Sequence, residues 1–449
     1  MGYRHLRDIK GIHVSALLNR VHLRVALGGL FILVQSIAQA EDWTGWRGPN
    51  RSDISSESSR WDEGAWESLE VAWTMQVGEG SSSPVVADGK LYVMGWSDER
   101  ETVTCAEAAT GKTLREHSYP APRYGRKANG DEGLYSGPTS TPELDAQTGL
   151  LYTLGCDGEL RCWNTRQGGA KVWAKNLYEE YDIPQRPKVG RSGLRDYGFT
   201  SSPLIFGDVL IVEVGAKTGT LIAFDKKTGG EVWRSQATDP PGHTGGPVPF
   251  NVDGVPCVAV HSFAGLLVAR LDKGHEGETV CLVPWITDFA NNVATPAAWK
   301  NNVIATSSYN QHRIARYEIS LTGGAKQIWE REEASKVCSP IVHDGHVYWA
   351  WRMVHCLDVE TGKTVWDGGP LGDPGSLILT ADDRLILWAN RGDLRVIETA
   401  VRSPQEYTQL FEKKNIAHKD AWPHVVLSDH RLFCKDRSGY VVCFELKGK

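Results

Sequence analysis

Residues 338–366, CSPIVHDGHVYWAWRMVHCLDVETGKTVW, divide into four short apolar runs. They open at Ser339-Pro340, turn at Asp344-Gly345 and again at Thr361-Gly362, and end in Trp366. Short runs separated by tight-turn residues form an antiparallel meander. A meander of about 30 residues has two apolar faces and cannot cover both by itself, so such a unit is stable only when neighbours of the same kind stack on it.

The pattern recurs. Proline follows Ser, Thr or Gly at Pro84, Pro142, Pro203, Pro247, Pro296 and Pro340. A weaker start at Pro423 leaves room for one degenerate unit opening at Ser376 to Leu379, which makes eight units. First-hairpin turns fall at Asp88-Gly89, Thr148-Gly149, Gly207-Asp208, Asp253-Gly254, Asn301-Asn302, Asp344-Gly345, Asp382-Asp383 and Ser428-Asp429. Second turns fall at Thr110-Gly111, Gly168-Gly169, Thr228-Gly229, Lys273-Gly274, Gly323-Gly324 and Thr361-Gly362. A terminal tryptophan follows at Trp173, Trp233, Trp329 and Trp366, with Trp285 a looser match; Arg115 and Phe411 take the slot in units one and seven.

Unit eight shows only three strands before the chain stops, whereas Leu69 to Val77 (LEVAWTMQV) is a strand without a unit, and its Trp73 resembles a terminal tryptophan. The spacing therefore predicts an all-β, eight-bladed propeller of four-stranded antiparallel blades over 69–449. The N-terminal strand completes the last blade and removes the open sheet edges. Trp73, Trp173, Trp233, Trp329 and Trp366 are the expected docking residues between blades.

Residues 1–40 stand outside this pattern. Arg4, Arg7, Lys10, Arg20 and Arg24 precede the apolar run Val25 to Val34, which is followed by Ala38-Gln39-Ala40. That is the form of a signal peptide with its cleavage site, and the run is too short to span a bilayer. The expectation is export to the periplasm or medium, with a polar leader at 41–68 whose Trp43 and Trp46 pack on the propeller. The 1–40 segment carries five basic residues and one acid, so the formal charge of −6 becomes −10 for the remainder. An acidic chain without a Lys/Arg-rich face is a poor match for nucleic acid. No other run is long enough for a membrane span, and a closed ring of this kind is expected to be a monomer.

Cys105, Cys162 and Cys356 each lie six residues before a second-turn glycine, Cys443 holds nearly the same place in unit eight, and Ala223 fills the slot in unit three. A slot that accepts Cys or Ala is a small buried one, which favours packing over repeated disulfides. Cys156 and Cys162, flanking one hairpin turn, are the best disulfide candidate.

Functional candidates come from the joins between units. Tyr119 to Gly137 and Tyr178 to Gly198 are long connections rich in Arg, Tyr, Gly and Pro, from which Tyr135 and Arg195 are candidate ligand contacts. Loops this long bind ligands in many folds, or merely cover one end of the channel. Asp239 to Gly246 (DPPGHTGG) and Trp285 to Asn292 (WITDFANN) are shorter and more polar. His243, Asp288, Asn291 and Asn292 would fall on the same face, near where innermost strands begin, as a polar rim to the channel. The alternatives are a turn-capping role for Asn292 and a plain surface role for His243.

The recurring S-P-x-x-x-D-G-x-x-Y … L-x-x-x-D-x-x-T-G-x-x-x-W, clearest at 339–366 and 202–233, resembles the tryptophan-docking repeat of PQQ-like quinoprotein propellers. Trp43 to Asn50 (WTGWRGPN) is similar to the start of secreted PQQ-like repeat proteins of planctomycetes. The resemblance implies one of two roles. Its catalytic branch comprises alcohol and glucose dehydrogenases that hold pyrroloquinoline quinone (PQQ) with calcium on the axis. This chain has neither the adjacent cysteine pair of the methanol-oxidising type nor a C-x-x-C-H haem site. The non-catalytic branch is similar to the propeller lipoprotein of outer-membrane β-barrel assembly, whose mature chain starts at a lipidated cysteine. Here position 41 is Glu and the first cysteine is Cys105. No G-x-S-x-G, H-E-x-x-H or Walker motif is present. The expectation is an exported non-catalytic scaffold without catalytic residues, metal ligands or resident cofactor, binding a protein, saccharide or small ligand at the channel face. The alternative is a PQQ-dependent oxidoreductase with calcium.

Overall fold

The computed structural model describes residues 41–125, 135, 137–185, 195–288, 291–372 and 375–447. The expected signal peptide at 1–40 and the middle of both long loops lie outside the described residues. The chain forms eight four-stranded antiparallel sheets, the blades of an eight-bladed propeller. In chain order the blades begin with the innermost strands Val85–Ala87, Glu143–Asp145, Leu204–Phe206, Val248–Val252, Ala297–Trp299, Ile341–His343, Ser376–Leu379 and Val426–Ser428. Blades 1 to 7 run in simple order from inner to outer strand. Blade 8 takes its outermost strand, Val71–Gln76, from the other end of the chain: Trp73 pairs with Cys443 and Gln76 with Tyr440.

One transverse row of side chains repeats across the blades and explains the cysteine slot. Tyr92, Tyr152, Tyr348 and Phe433 on second strands stand opposite Cys105, Cys162, Cys356 and Cys443 on third strands. In turn Cys162, Ala223, Cys356 and Cys443 face Trp173, Trp233, Trp366 and Trp73 on outer strands. In blades 2, 6 and 8 two large aromatics flank the slot, so a small side chain fits between them, whereas in blade 5 Ile304 replaces the second-strand aromatic and the slot holds Arg316. All nine cysteines are free thiols, and Cys156 and Cys162 are not joined.

Each outer strand slips by one residue against its neighbour, immediately before the tryptophan in blades 2, 3, 5 and 6. A bulge adds twist and spoils the flat exposed edge that would otherwise pair with another chain. It also turns the ring towards the next blade. Trp73, Trp173, Trp329 and Trp366 donate Nε1–H to the carbonyls of Ala108, Lys226, Val359 and Ser403, at 3.0, 3.2, 2.8 and 3.1 Å. Gly111, Gly229 and Gly362 lie under the first three rings with φ of 70°, 73° and 67°, where a Cβ would come within 2.6–2.7 Å of the indole. Trp233 differs. It is half-buried among Leu221, Val258 and Leu271, and the Gly274 turn of blade 4 stands clear of any side chain. Trp285 also departs from the sequence expectation: Cys281 occupies the docking register opposite Val268, and Trp285 lies past the end of its strand, buried beside His261.

Residues 43–57 run along the channel. Trp43 exchanges backbone hydrogen bonds with Val86 of blade 1 at 2.7 and 2.9 Å, and Leu379 of blade 7 is bracketed by Asp53 and Ser55 at 2.8 Å each. The inner strands open with proline, which has no N–H to offer, and their carbonyls face the axis without a partner strand. Two buried arginines supply the donors. Arg47 reaches Pro296 O at 3.2 Å and Pro340 O at 2.6 Å; Arg51 bonds Pro203 O, Pro247 O (3.1 Å) and Glu143 Oε2 (2.9 Å). Asp53 pairs with Arg47 and accepts from His424 Nδ1 at 3.2 Å. Burial works against the Asp53 charge, yet Arg47 and His424 hold its carboxyl below the ordinary value. Among the described residues no helix is long and apolar enough to cross a membrane.

Candidate functional site

The channel is blocked partway by Trp46, whose Nε1–H bonds Thr295 Oγ1 at 3.0 Å and whose ring lies 4.1 Å from the His424 imidazole. Above it opens an axial chamber of about 100 Å³. Its walls come from the residues that enter successive inner strands, among them Ser81, Thr139, Thr200, His243, Asn291, Lys336 and Trp422. Tyr309 and Arg437, from the turns between second and third strands of blades 5 and 8, complete the rim. These two kinds of connection share one face of a propeller, so a single chamber samples nearly every blade.

Trp46 and Thr200 at the floor are buried, as is Arg437, whereas Thr139, Tyr197, Asn291, Tyr309, Lys336 and Trp422 are half-exposed, so the chamber opens to solvent on this face. Four aromatic rings line it: Trp46, Tyr197, Tyr309 and Trp422. His243 donates Nδ1–H to Asn291 Oδ1 at 3.3 Å, with Tyr197 edge-on to the imidazole at 5.6 Å. The Arg437 guanidinium lies 4.0 Å over the Trp422 ring and pairs with Asp420 at 3.0 Å. Lys336 has no acid partner among the described residues, and no Asp or Glu lines the chamber.

Of the residues singled out from sequence, His243 and Asn291 face the chamber. The others are placed elsewhere. Asn292 is buried, and its Nδ2 donates to Ser262 O at 3.2 Å and Trp285 O at 3.3 Å, which holds the join in place as a cap does. Asp288 is exposed, its backbone N–H bonded to Asn310 Oδ1 at 2.8 Å. Arg195 is 1% exposed, donates Nη2–H to Val214 O at 2.7 Å and sits over Phe199; burial pushes its pKa down to about 10. Tyr135 is 2% exposed and packs on Trp96 at 4.6 Å, with its N–H on Glu79 Oε2 at 2.6 Å. Arg195 and Tyr135 are thus buried where their loops rejoin the body.

The residues missed were Trp46, Tyr197, Tyr309, Lys336, Trp422 and Arg437. A signal for two of them, Lys336 and Trp422, was present. Thr139, His243, Asn291 and Lys336 stand three to five residues before the Pro that opens their blade, and Trp422 stands next to Pro423. Taking every unit at that position would have collected most of the wall.

A calcium site needs six to eight oxygen ligands, carboxylates prominent among them. The chamber offers two cations and no carboxylate, and among the described residues no three His, Cys, Asp or Glu are grouped to hold a metal. The residues present do not fit the calcium that accompanies PQQ.

The family model described as outer membrane protein assembly factor BamB matches residues 56–235 and 141–368, more than half of the sequence. The chain belongs to the BamB family. Among solved structures, BamB from Moraxella catarrhalis is similar at a TM-score of 0.56 and 13% identity, covering 84% of this chain and 99% of that one. The computationally designed Ika8 protein reaches 0.54 at 13% identity, covering 82% and 98%. The C-terminal WD40 domain of Sif2 reaches 0.54 at 9%, covering 85% and 99%. At such identities these likenesses show a shared propeller fold. No curated protein matches the sequence.

Proposed function

We propose that this BamB-family chain is an exported, monomeric, non-catalytic scaffold that presents its channel face to a protein partner. The observation that carries the reading is family membership in an outer-membrane assembly factor, joined to a chamber whose donor set does not suit the calcium-bound quinone of the catalytic relatives. A closed ring braced by docked tryptophans and an axial plug is rigid, so loops on one face are held at low entropic cost for binding. The basic and apolar 1–40 segment supports export.

Two measurements test the reading together. Purified residues 41–449 titrated with PQQ and calcium should show no calcium-dependent binding and no dye reduction. In cells of the native host, a photocrosslinking residue at rim position Thr139 should capture a discrete partner protein, whereas one at the exposed outer-strand position Val232 should not. A calcium-dependent PQQ complex that reduces dye, or equal crosslinking from both positions, overturns it.

A further inference from the structure

The axial chamber differs in charge from the protein that surrounds it. Residues 41–449 carry a formal charge of −10, yet the chamber lining contains Lys336, Arg437 and His243 and no acid. Arg437 shares its charge with Asp420. Lys336 has no such partner among the described residues, so its ammonium carries the uncompensated charge of the site. A cation at the mouth of a low-dielectric recess concentrates anions there, and the acidic exterior sharpens the contrast. The walls are planar and apolar: Trp46 below, with Tyr197, Tyr309 and Trp422 around the rim. Aromatic faces of this kind hold a flat group by stacking or edge contact. The volume of about 100 Å³ is of the order that accepts one ring, given that a dry cavity of about 150 Å³ takes up benzene. Thr139, Thr200 and Asn291 add polar groups that can orient a ligand bearing more than one acceptor.

We infer that the chamber receives a carboxylate carried on a planar apolar group, with Lys336 as its counter-ion and the aromatic walls around the ring. The carboxylate is either that of a small free acid or the chain end of a polypeptide; in the second case the inference rests on the scaffold reading and names the feature the partner would present. No bond is made or broken.

The test is calorimetric titration of residues 41–449 with N-acetyl-phenylalanine and with its uncharged amide. The acid should bind about tenfold or more tightly than the amide, the ratio expected for one charge-assisted hydrogen bond. Lys336→Gln should abolish that preference and leave the amide unchanged, and Lys336→Arg should restore it. Because the Lys336 side chain makes no hydrogen bond or ion pair among the described residues, both variants should melt with the wild-type midpoint. A short peptide ending in phenylalanine distinguishes the sources: tighter binding than the single amino acid, lost on C-terminal amidation, indicates a chain end, and equal binding indicates a free acid. Equal affinity for acid and amide, no binding of either, or a preference that survives Lys336→Gln overturns the inference. Rim crosslinks at position 139 that persist in that case leave the scaffold reading standing, so the two fail separately.

Discussion

Glu213 lies buried in the second strand of blade 3, where Oε1 accepts from the Gly242 N–H at 3.1 Å, one residue before chamber-lining His243. Burial is the main influence on it and pushes its pKa from 4.5 to about 8, against the pull of Ser201, Gly242 and Arg195. Between those two values the folded chain holds a proton that the unfolded chain has lost. The stability linked to this group is therefore full below pH 4.5 and falls as the pH rises to about 8. Glu213→Gln should leave the melting midpoint unchanged near about pH 5 and raise it near about pH 8, by on the order of a few kcal/mol in stability at most. A midpoint difference independent of pH would show the carboxylate to be charged in the fold. Lys435 titrates in the opposite sense: burial lowers its pKa to about 7, so stability linked to it grows from there towards pH 10.5. Comparing variant with wild type at each pH cancels that contribution. Neither group is recognisable from sequence, because a Glu within a strand and a Lys at a strand end read as solvent-facing until the neighbouring loops are in place.

Among the elements, the contact between an outer-strand tryptophan and the next blade's turn ties blade to blade. Gly362 and Gly345 both have positive φ, 67° and 77°, but a Cβ at Gly362 would come within 2.7 Å of the Trp329 ring and one at Gly345 would meet nothing within 4 Å. Gly345→Ala should cost about 1 kcal/mol, the penalty of left-handed backbone alone. Gly362→Ala should cost about 1–3 kcal/mol more, because the indole must move. Urea unfolding of the two variants decides the matter, and equal losses would mean that the docking contact is slack. The regular positions, Trp73, Trp173, Trp329 and Trp366, were readable because turn and tryptophan are a fixed number of residues apart. Trp285 misled for the same reason: it follows its strand instead of lying in it, and a count along the chain cannot see where a strand stops.

At the scale of the molecule, two devices close the ring: the strand exchange in blade 8 and the plug along the axis. A chain beginning at Glu70 keeps the strand Val71–Gln76 and loses the plug, so the carbonyls of Pro203, Pro247, Pro296 and Pro340 and the carboxylate of Glu143 lose their arginine donors. It should remain monomeric with a lower melting midpoint. A chain beginning at Gly78 also lacks the closing strand, which bares the edge of Tyr440–Glu445 and empties the Trp73 contact on blade 1. It should associate, as light scattering would show. If both chains remained monomeric with the wild-type midpoint, neither device would matter for closure.

Strand count, blade boundaries, ring closure and the small cysteine slot were all determined by the sequence alone, because each follows from a repeat of short strands and tight turns and local spacing specifies it. The chamber was not. Its walls take one to three residues from each of most blades, and its floor, Trp46, comes from a segment outside the repeat. Only closure of the ring sets Lys336 opposite aromatic rings far away in the chain, and it also buries Arg195 and Tyr135, which in the sequence look like surface loop residues. Periodic order along the chain reveals what each blade does for itself, whereas convergence on the axis exists only once the blades stand around it.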